Sequence, residues 1–97
     1  MLTIKHYVCC GMDVHKKFVV ATIANTDLKG VTTYIKKRFP TFNSDLKLLK
    51  EWLLKHNCTE VCMESTGKYW IPIYNILEDS CHVVVANPKY VRTIKGQ

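Results

Sequence analysis

The 97-residue sequence lacks the features that define several large classes of protein. No run approaches the roughly 20 apolar residues that cross a bilayer, and residues 1–6 lack the apolar core of a secretory signal. Internal repeats and low-complexity tracts are missing as well. We therefore expect a single domain over residues 1–97, located in the cytoplasm and without a membrane partner.

The cysteines lack the regular spacing of a disulfide framework or a zinc site. There are five, an odd number, and in a reducing cytoplasm such residues act as small buried hydrophobes. Cys58-x3-Cys62 with Cys81-His82 would form a zinc site only with loose spacing. We favour buried thiols over zinc.

Acidic residues are scarce relative to basic ones. Eight Asp and Glu stand against 14 Lys and Arg, for a formal charge of +6. A positive domain favours an anionic partner, nucleic acid above all, although many basic domains bind none. Charge alone therefore points towards nucleic acid without selecting it.

Apolar periodicity and turn residues predict the order βββαβαβα. Asn43 or Ser44 is expected to cap the first helix, and Pro72 to lie in or beside the first turn of the second. The valine run at 82–86 is typical of a strand buried on both faces. The predicted elements are strands at 7–14, 18–24 and 31–39, a helix to about 55, a strand at 60–64, a helix around 70–77, a strand at 82–86 and a short helix from 87 towards 96.

These elements predict a mixed five-stranded sheet of the α/β class with flanking helices. Short connections make the first three strands an antiparallel meander, and helical crossovers make the last two strands parallel. With the first strand central and the fourth beside it, in the order 3-2-1-4-5, the arrangement is ribonuclease H-like (RuvC-like). The element order alone leaves a ferredoxin-like or another α/β sandwich open.

Two acidic residues separate the candidate functions. Asp13 lies late in the first strand and Glu64 ends the fourth. On neighbouring strands their carboxylates would repel, so each would favour a cation. Mg²⁺ suits such a site, and paired metals assist phosphodiester chemistry. An equally open alternative is structural: Asp13 ends a strand in a turn, and Glu64 pairs with Lys16 or Lys68.

Three ordered motifs resemble those of one known family. They are, in chain order, GMDVHKK at 11–17, MESTGKYWIPIY at 63–74 and VANPKYVRTIKG at 85–96. Together they closely resemble the N-terminal domain of the IS110 family of insertion-sequence transposases, from about Val8 to Gln97. Three motifs in order are far more specific than any one alone.

The resemblance implies a DEDD recombinase with a RuvC-like fold, in which Asp13 is the first acid and Glu64 the second. Both would then be catalytic and would bind Mg²⁺ or Mn²⁺, weakly in this chain. In the family the last two aspartates follow the third motif, so we expect them beyond Gln97, together with a C-terminal domain. The chain would then be the N-terminal fragment of a transposase for metal-dependent DNA cleavage and transfer, inactive alone.

The implied partner is DNA, at transposon ends and target, and some relatives also use a guide RNA from the element. Lys36-Lys37-Arg38 is a further phosphate candidate, although a charge run is usually a solvated face. Apolar surface left bare by a missing terminal helix would favour a homo-oligomer. The residues expected to contact nucleic acid are His15, Lys16, Lys68, Tyr69, Lys89 and Arg92.

The residues after Glu64 admit both a functional and a structural interpretation. Ser65 or Thr66 could cap the next helix, and Gly67 leaves room for a phosphate backbone. Tyr69 could stack on a base. Trp70 fits the apolar stripe of the helix, so core packing is favoured for it.

Two other functions remain open from the sequence. A nucleotide-binding half-domain of the sugar-kinase and actin type shares the sheet and a first-strand acid, but it needs a glycine-rich phosphate loop where this chain has residues 14–17, VHKK. A non-catalytic basic DNA-binding module would use Asp13 and Glu64 for structure only. The transposase domain is the preferred interpretation.

Overall fold

A computed structural model describes residues 7–86 of the chain. The third helix, expected from residue 87, lies outside the described residues, as do Lys89 and Arg92. The elements are β1 (Tyr7–Val14), β2 (Phe18–Thr26), β3 (Thr32–Pro40), α1 (Asn43–Lys55), β4 (Glu60–Ser65), α2 (Ile71–Leu77) and β5 (His82–Ala86). The predicted order of these seven elements is confirmed.

The five strands form one sheet in the order β3-β2-β1-β4-β5. Strands β1, β2 and β3 are paired antiparallel, whereas β4 runs parallel to β1 and β5 parallel to β4. The predicted order 3-2-1-4-5 is therefore confirmed. It decides against the other α/β sandwiches that the element order left open.

Both helices pack on one face of this sheet. Because strand side chains alternate between faces, every second residue of β1, β2 and β4 joins the same apolar cluster as the two helices. The strands contribute Cys10, Met12, Val14, Val19, Ala21, Ile23, Val61 and Met63, and the helices contribute Leu46, Leu49, Leu53, Ile73 and Leu77. This face holds the core.

The opposite face, which we call the open face, is not covered by either described helix. Gly11 and Asp13 of β1 and Cys62 and Glu64 of β4 are exposed there. Val84 of β5 is 50% exposed, so the prediction of a strand buried on both faces is wrong. The valine run reflects the preference of β-branched residues for strands rather than burial on both sides.

The start of α1 differs from the prediction. Its N-cap is Phe42, in an extended conformation and without a side-chain hydrogen bond to the helix. Asn43 is already helical, so neither it nor Ser44 acts as the cap. Asp45 in the first turn still complements the positive end of the helix dipole.

The segment between β4 and α2 also corrects one expectation. Ser65 is buried at the end of β4, and its hydroxyl donates to the Thr66 carbonyl oxygen at 3.3 Å. The helix begins only at Ile71, so Ser65 and Thr66 are too far away to cap it. Pro72 lies at the helix N-terminus, as predicted.

The cysteines do not assemble a metal site in residues 7–86. Cys10, Cys58 and Cys81 are buried while Cys62 is exposed, so the loosely spaced zinc arrangement is not formed. Among the described residues, no three His, Cys, Asp or Glu side chains are grouped to hold a metal. A hydrogen bond with the Cys58 thiol, together with burial, raises the pKa of the Cys10 thiol. Cys10 therefore behaves as a neutral core residue.

Neither helix among residues 7–86 has the length and hydropathy needed to span a bilayer. The longer one, α1, has 13 residues, and a bilayer crossing needs about 20.

The one-sided core predicts a sharp contrast between two adjacent leucines of α1. Leu49 is fully buried, whereas Leu48 is 54% exposed. We expect Leu49→Ala to lower the free energy of unfolding by about 2–5 kcal/mol, because it leaves a cavity in the core. Leu48→Ala, the matched control, should change it by no more than about 0.5 kcal/mol. Urea denaturation of both variants measures the difference, and equal losses would contradict the assigned helix face.

Candidate active site

Asp13 and Glu64 lie side by side on the open face. The parallel register of β1 and β4 pairs them directly, and neighbouring strands are about 4.7–4.9 Å apart. The Asp13 side chain is 67% exposed, and Glu64 is exposed as well. Their adjacency follows from the confirmed strand order, while their catalytic and metal-binding roles remain predictions.

The two carboxylates differ in their partners. His15 Nε2 lies 3.1 Å from the Asp13 Oδ2 atom. Within residues 7–86, the Glu64 carboxylate has no hydrogen bond or ion pair, so it pairs with neither Lys16 nor Lys68. The alternative in which Glu64 only forms a structural ion pair with a lysine is therefore not supported. Like charges on neighbouring strands destabilise a sheet, which leaves this position suited to a cation.

A series of ring contacts connects Asp13 to the basic edge strand β3. The His15 ring stacks on Phe18, with centroids 4.4 Å apart. The Arg38 guanidinium lies 3.8 Å from the centroid of the same phenyl ring. His15, expected to contact DNA, is thus engaged with Asp13 and Phe18. Its expected contact with DNA remains a prediction.

A shallow pocket of about 560 Å³ surrounds the two acids on the open face. Gly11, Thr22 and Cys62, which pair in one row across β1, β2 and β4, form what we call its floor. A Cβ added at Gly11 would meet no atom within 4 Å. Lys36 of β3 also lines it. The full lining is Gly11, Met12, Asp13, Val20, Thr22, Lys36, Cys62, Glu64 and Ala86. One cationic and two anionic side chains therefore share one open depression.

Three further residues predicted to contact nucleic acid, Lys16, Lys68 and Tyr69, lie at the same edge of the sheet but outside this pocket. Lys16 is exposed in the β1–β2 turn, and Lys68 is exposed in the segment after β4. These segments follow the carboxyl ends of the parallel strands β1 and β4, so both lie beside the acids at the same end of the sheet. Tyr69 is 43% exposed and thus accessible. Trp70 packs against the core, as predicted.

The residues present fit a weakly held hard cation. Mg²⁺ is commonly bound through one or two carboxylates, with water and phosphate oxygens completing its octahedral shell. Asp13 and Glu64 supply two carboxylates on adjacent strands. No third acid, His or Cys in the described part of the chain joins them to form a larger ligand group.

The sequence did not distinguish among the three basic residues Lys36, Lys37 and Arg38. The structure places Lys36 in the pocket with the acids, Lys37 5.2 Å from the Phe39 ring, and Arg38 on Phe18. Strand alternation separates Lys36 from Lys37, and that signal was available once 31–39 was predicted as a strand.

The fold is shared with RuvC and a viral Holliday junction resolvase of known structure. The chain matches Thermus thermophilus RuvC in complex with Holliday junction substrate with a TM-score of 0.60 at 10% identity, covering 90% of this chain and 70% of that one. For the fowlpox virus Holliday junction resolvase the TM-score is 0.61 at 19% identity, with coverage of 84% and 62%.

A protein of the Ppx/GppA family from Aquifex aeolicus also matches, with a TM-score of 0.57 at 15% identity and coverage of 89% and 37%. The chain thus spans about 60% of the viral resolvase and well under half of the Aquifex protein. At these identities the likeness shows the fold alone, and that fold is ribonuclease H-like of the RuvC type.

A family model described as transposase, of the DEDD IS110 type, matches residues 10–97. The chain therefore belongs to the IS110 family of DEDD transposases. No curated protein sequence matches it.

Because Glu64 lies beside Asp13 and has no ion pair within residues 7–86, we predict that removing the charge of Glu64 will stabilise the metal-free protein. Glu64→Gln relieves repulsion with Asp13 and should raise Tm by about 1–5 °C. Glu60→Gln is the matched control, because Glu60 lies on the same strand and face. Unlike Glu64, Glu60 has a partner: its carboxylate lies 2.9 Å from His82 Nδ1. It should not raise Tm.

Differential scanning calorimetry in EDTA measures both variants. An unchanged or lowered Tm for Glu64→Gln would mean that the two carboxylates do not repel appreciably.

Proposed function

We propose that this chain is the N-terminal part of the catalytic domain of a DNA transposase, in which Asp13 and Glu64 bind Mg²⁺ or Mn²⁺ for strand cleavage and transfer. The observation that carries the proposal is the direct pairing of two exposed acidic residues across β1 and β4, with no basic partner for Glu64 in residues 7–86. Membership of a transposase family supports the reaction class.

The two acids would contribute differently to metal binding. Asp13 is oriented through the hydrogen bond with His15, so its carboxylate is held before a metal arrives. Glu64 has no competing partner within the described residues, so no hydrogen bond has to break when it binds. When bound, paired metal ions supply an activated water or hydroxyl and stabilise the leaving oxygen of a phosphodiester.

Two carboxylates are too few to hold two metals in fixed positions. We propose that the remaining DEDD acids lie beyond Gln97 in a longer parent protein, and that the 97-residue chain does not cleave DNA unaided. A cleavage and strand-transfer assay on this chain and on one extended past the next aspartates separates the two cases. Activity in the short chain that Asp13→Ala abolishes would contradict the proposal.

The proposed partner is DNA, at transposon ends and target. The solved relatives from fowlpox virus and Thermus thermophilus are described with Holliday junction DNA, which supports a nucleic-acid ligand for this fold. The net charge of +6 agrees with such a ligand. Contacts by Lys16, Lys68 and Tyr69, use of a guide RNA, and assembly into a homo-oligomer all remain predictions.

Metal titration separates this function from that of a basic DNA-binding module in which the acids are structural. Isothermal calorimetry with Mn²⁺ should give weak binding to the wild type, because most octahedral positions are left to water. Asp13→Asn should reduce that binding at least tenfold, since a charged oxygen ligand is lost. The same substitution at Asp45, on the first turn of α1, is the control and should leave Mn²⁺ binding unchanged.

Equal Mn²⁺ binding by wild type and Asp13→Asn would mean that the acids are not metal ligands. The basic module would then be the better account.

A further inference from the structure

We propose that Lys36 is a phosphate-binding residue of the same site, and that the floor between it and the acids accepts one phosphodiester group of a nucleic-acid strand. The inference rests on the proposed function and adds a specific residue and a chemical group to it. Lys36 would act by positioning the strand beside the carboxylates.

Strand register defines the floor. Lys36 pairs with Thr22, Thr22 with Gly11 and Gly11 with Cys62, which makes one row across β3, β2, β1 and β4. Asp13 and Glu64 belong to the next row on the same face. Two strand spacings, about 10 Å, separate the backbones at Lys36 and Gly11. A lysine side chain and one phosphate group together span that gap.

The floor has room for a ligand. Gly11 carries no side chain, and a Cβ there would find no atom within 4 Å. The pocket of about 560 Å³ is lined by Lys36 on one side and by Asp13 and Glu64 on the other. Backbone or ligand groups approach a sheet closely where a glycine interrupts a strand, and Gly11 is placed for that.

Charge explains why a cation is needed here. A phosphodiester that approaches two carboxylates is repelled unless cations offset their charge. Lys36 forms no ion pair within residues 7–86, so its ammonium group is available. The two basic residues that follow it on β3 are already engaged, Lys37 with the Phe39 ring and Arg38 with the Phe18 ring.

Strand alternation supplies a matched control for the test. Lys36→Gln and Lys37→Gln remove the same charge from consecutive positions of β3, but only Lys36 lines the pocket that holds the acids. The probe is a fluorescein-labelled single strand of about 16 nucleotides, the upper end of common site sizes. Fluorescence anisotropy is recorded over a series of salt concentrations with Mg²⁺ present.

We expect Lys36→Gln to weaken binding severalfold and to reduce the slope of log K against log salt by about 0.7, the loss of one phosphate contact on a single strand. Lys37→Gln should leave the slope unchanged. Equal effects of the two substitutions, or no effect of Lys36→Gln, would overturn the inference.

Gly11→Val gives a second, charge-neutral test. A β-branched residue suits a strand and the added Cβ meets no atom, so the variant should retain its Tm while filling the floor. Weaker oligonucleotide binding is the expected result. Unchanged binding by a folded Gly11→Val would exclude the floor as the phosphate position.

Mn²⁺ titration keeps this inference separate from the proposed function. Lys36→Gln should bind Mn²⁺ at least as well as the wild type, because it removes a cation near the carboxylates. Suppose that wild type and Lys36→Gln both bind Mn²⁺, but Lys36→Gln and Lys37→Gln have equal effects on oligonucleotide binding. Then only the assigned phosphate position is wrong. If the wild type fails to bind Mn²⁺ while Lys36→Gln loses DNA, the metal assignment fails and the phosphate contact stands.

Discussion

The parallel pairing of β1 with β4 is the constraint on which the site depends. It brings together two carboxylates that lie 51 positions apart in the chain and holds them in one register. A flexible loop would let like charges separate, but a ladder between two core strands holds them in register. Met12 and Met63, buried beneath the acids, anchor both strands. The fold therefore keeps two acidic residues in adjacent positions, where like charges destabilise a sheet and a bound cation would offset them.

The one-sided core gives the site its accessibility. Both described helices pack on one face, so the acids, the glycine floor and Lys36 all lie on the other. The division is a direct result of strand alternation: each exposed acid is flanked along its strand by buried residues. The same open face explains why Val84 is exposed in a run that looks fully apolar. One face of the sheet therefore packs the core, and the opposite face of the same strands is open to a ligand.

Much of this fold was predictable from the sequence. Short connections indicate the antiparallel meander and helical crossovers indicate the parallel strands, while the resemblance of three motifs to a transposase family implied the RuvC-like strand order. The proximity of Asp13 and Glu64 followed once β1 and β4 were neighbours. Local periodicity could not show that α1 starts without a side-chain cap at Phe42, because capping depends on how the chain leaves β3. It also could not show that Phe18 contacts both His15 and Arg38, since ring contacts depend on tertiary placement.

The central claim is that Asp13 and Glu64 form one cation site, and paramagnetic relaxation by Mn²⁺ tests it most directly. In a ¹⁵N-labelled chain, substoichiometric Mn²⁺ should broaden the amide signals of residues 12–14 and 63–65 first, because relaxation falls steeply with distance from the ion. Glu64→Gln should remove that selective broadening. Broadening centred instead on Glu60 and His82, or spread evenly over the surface, would contradict the account.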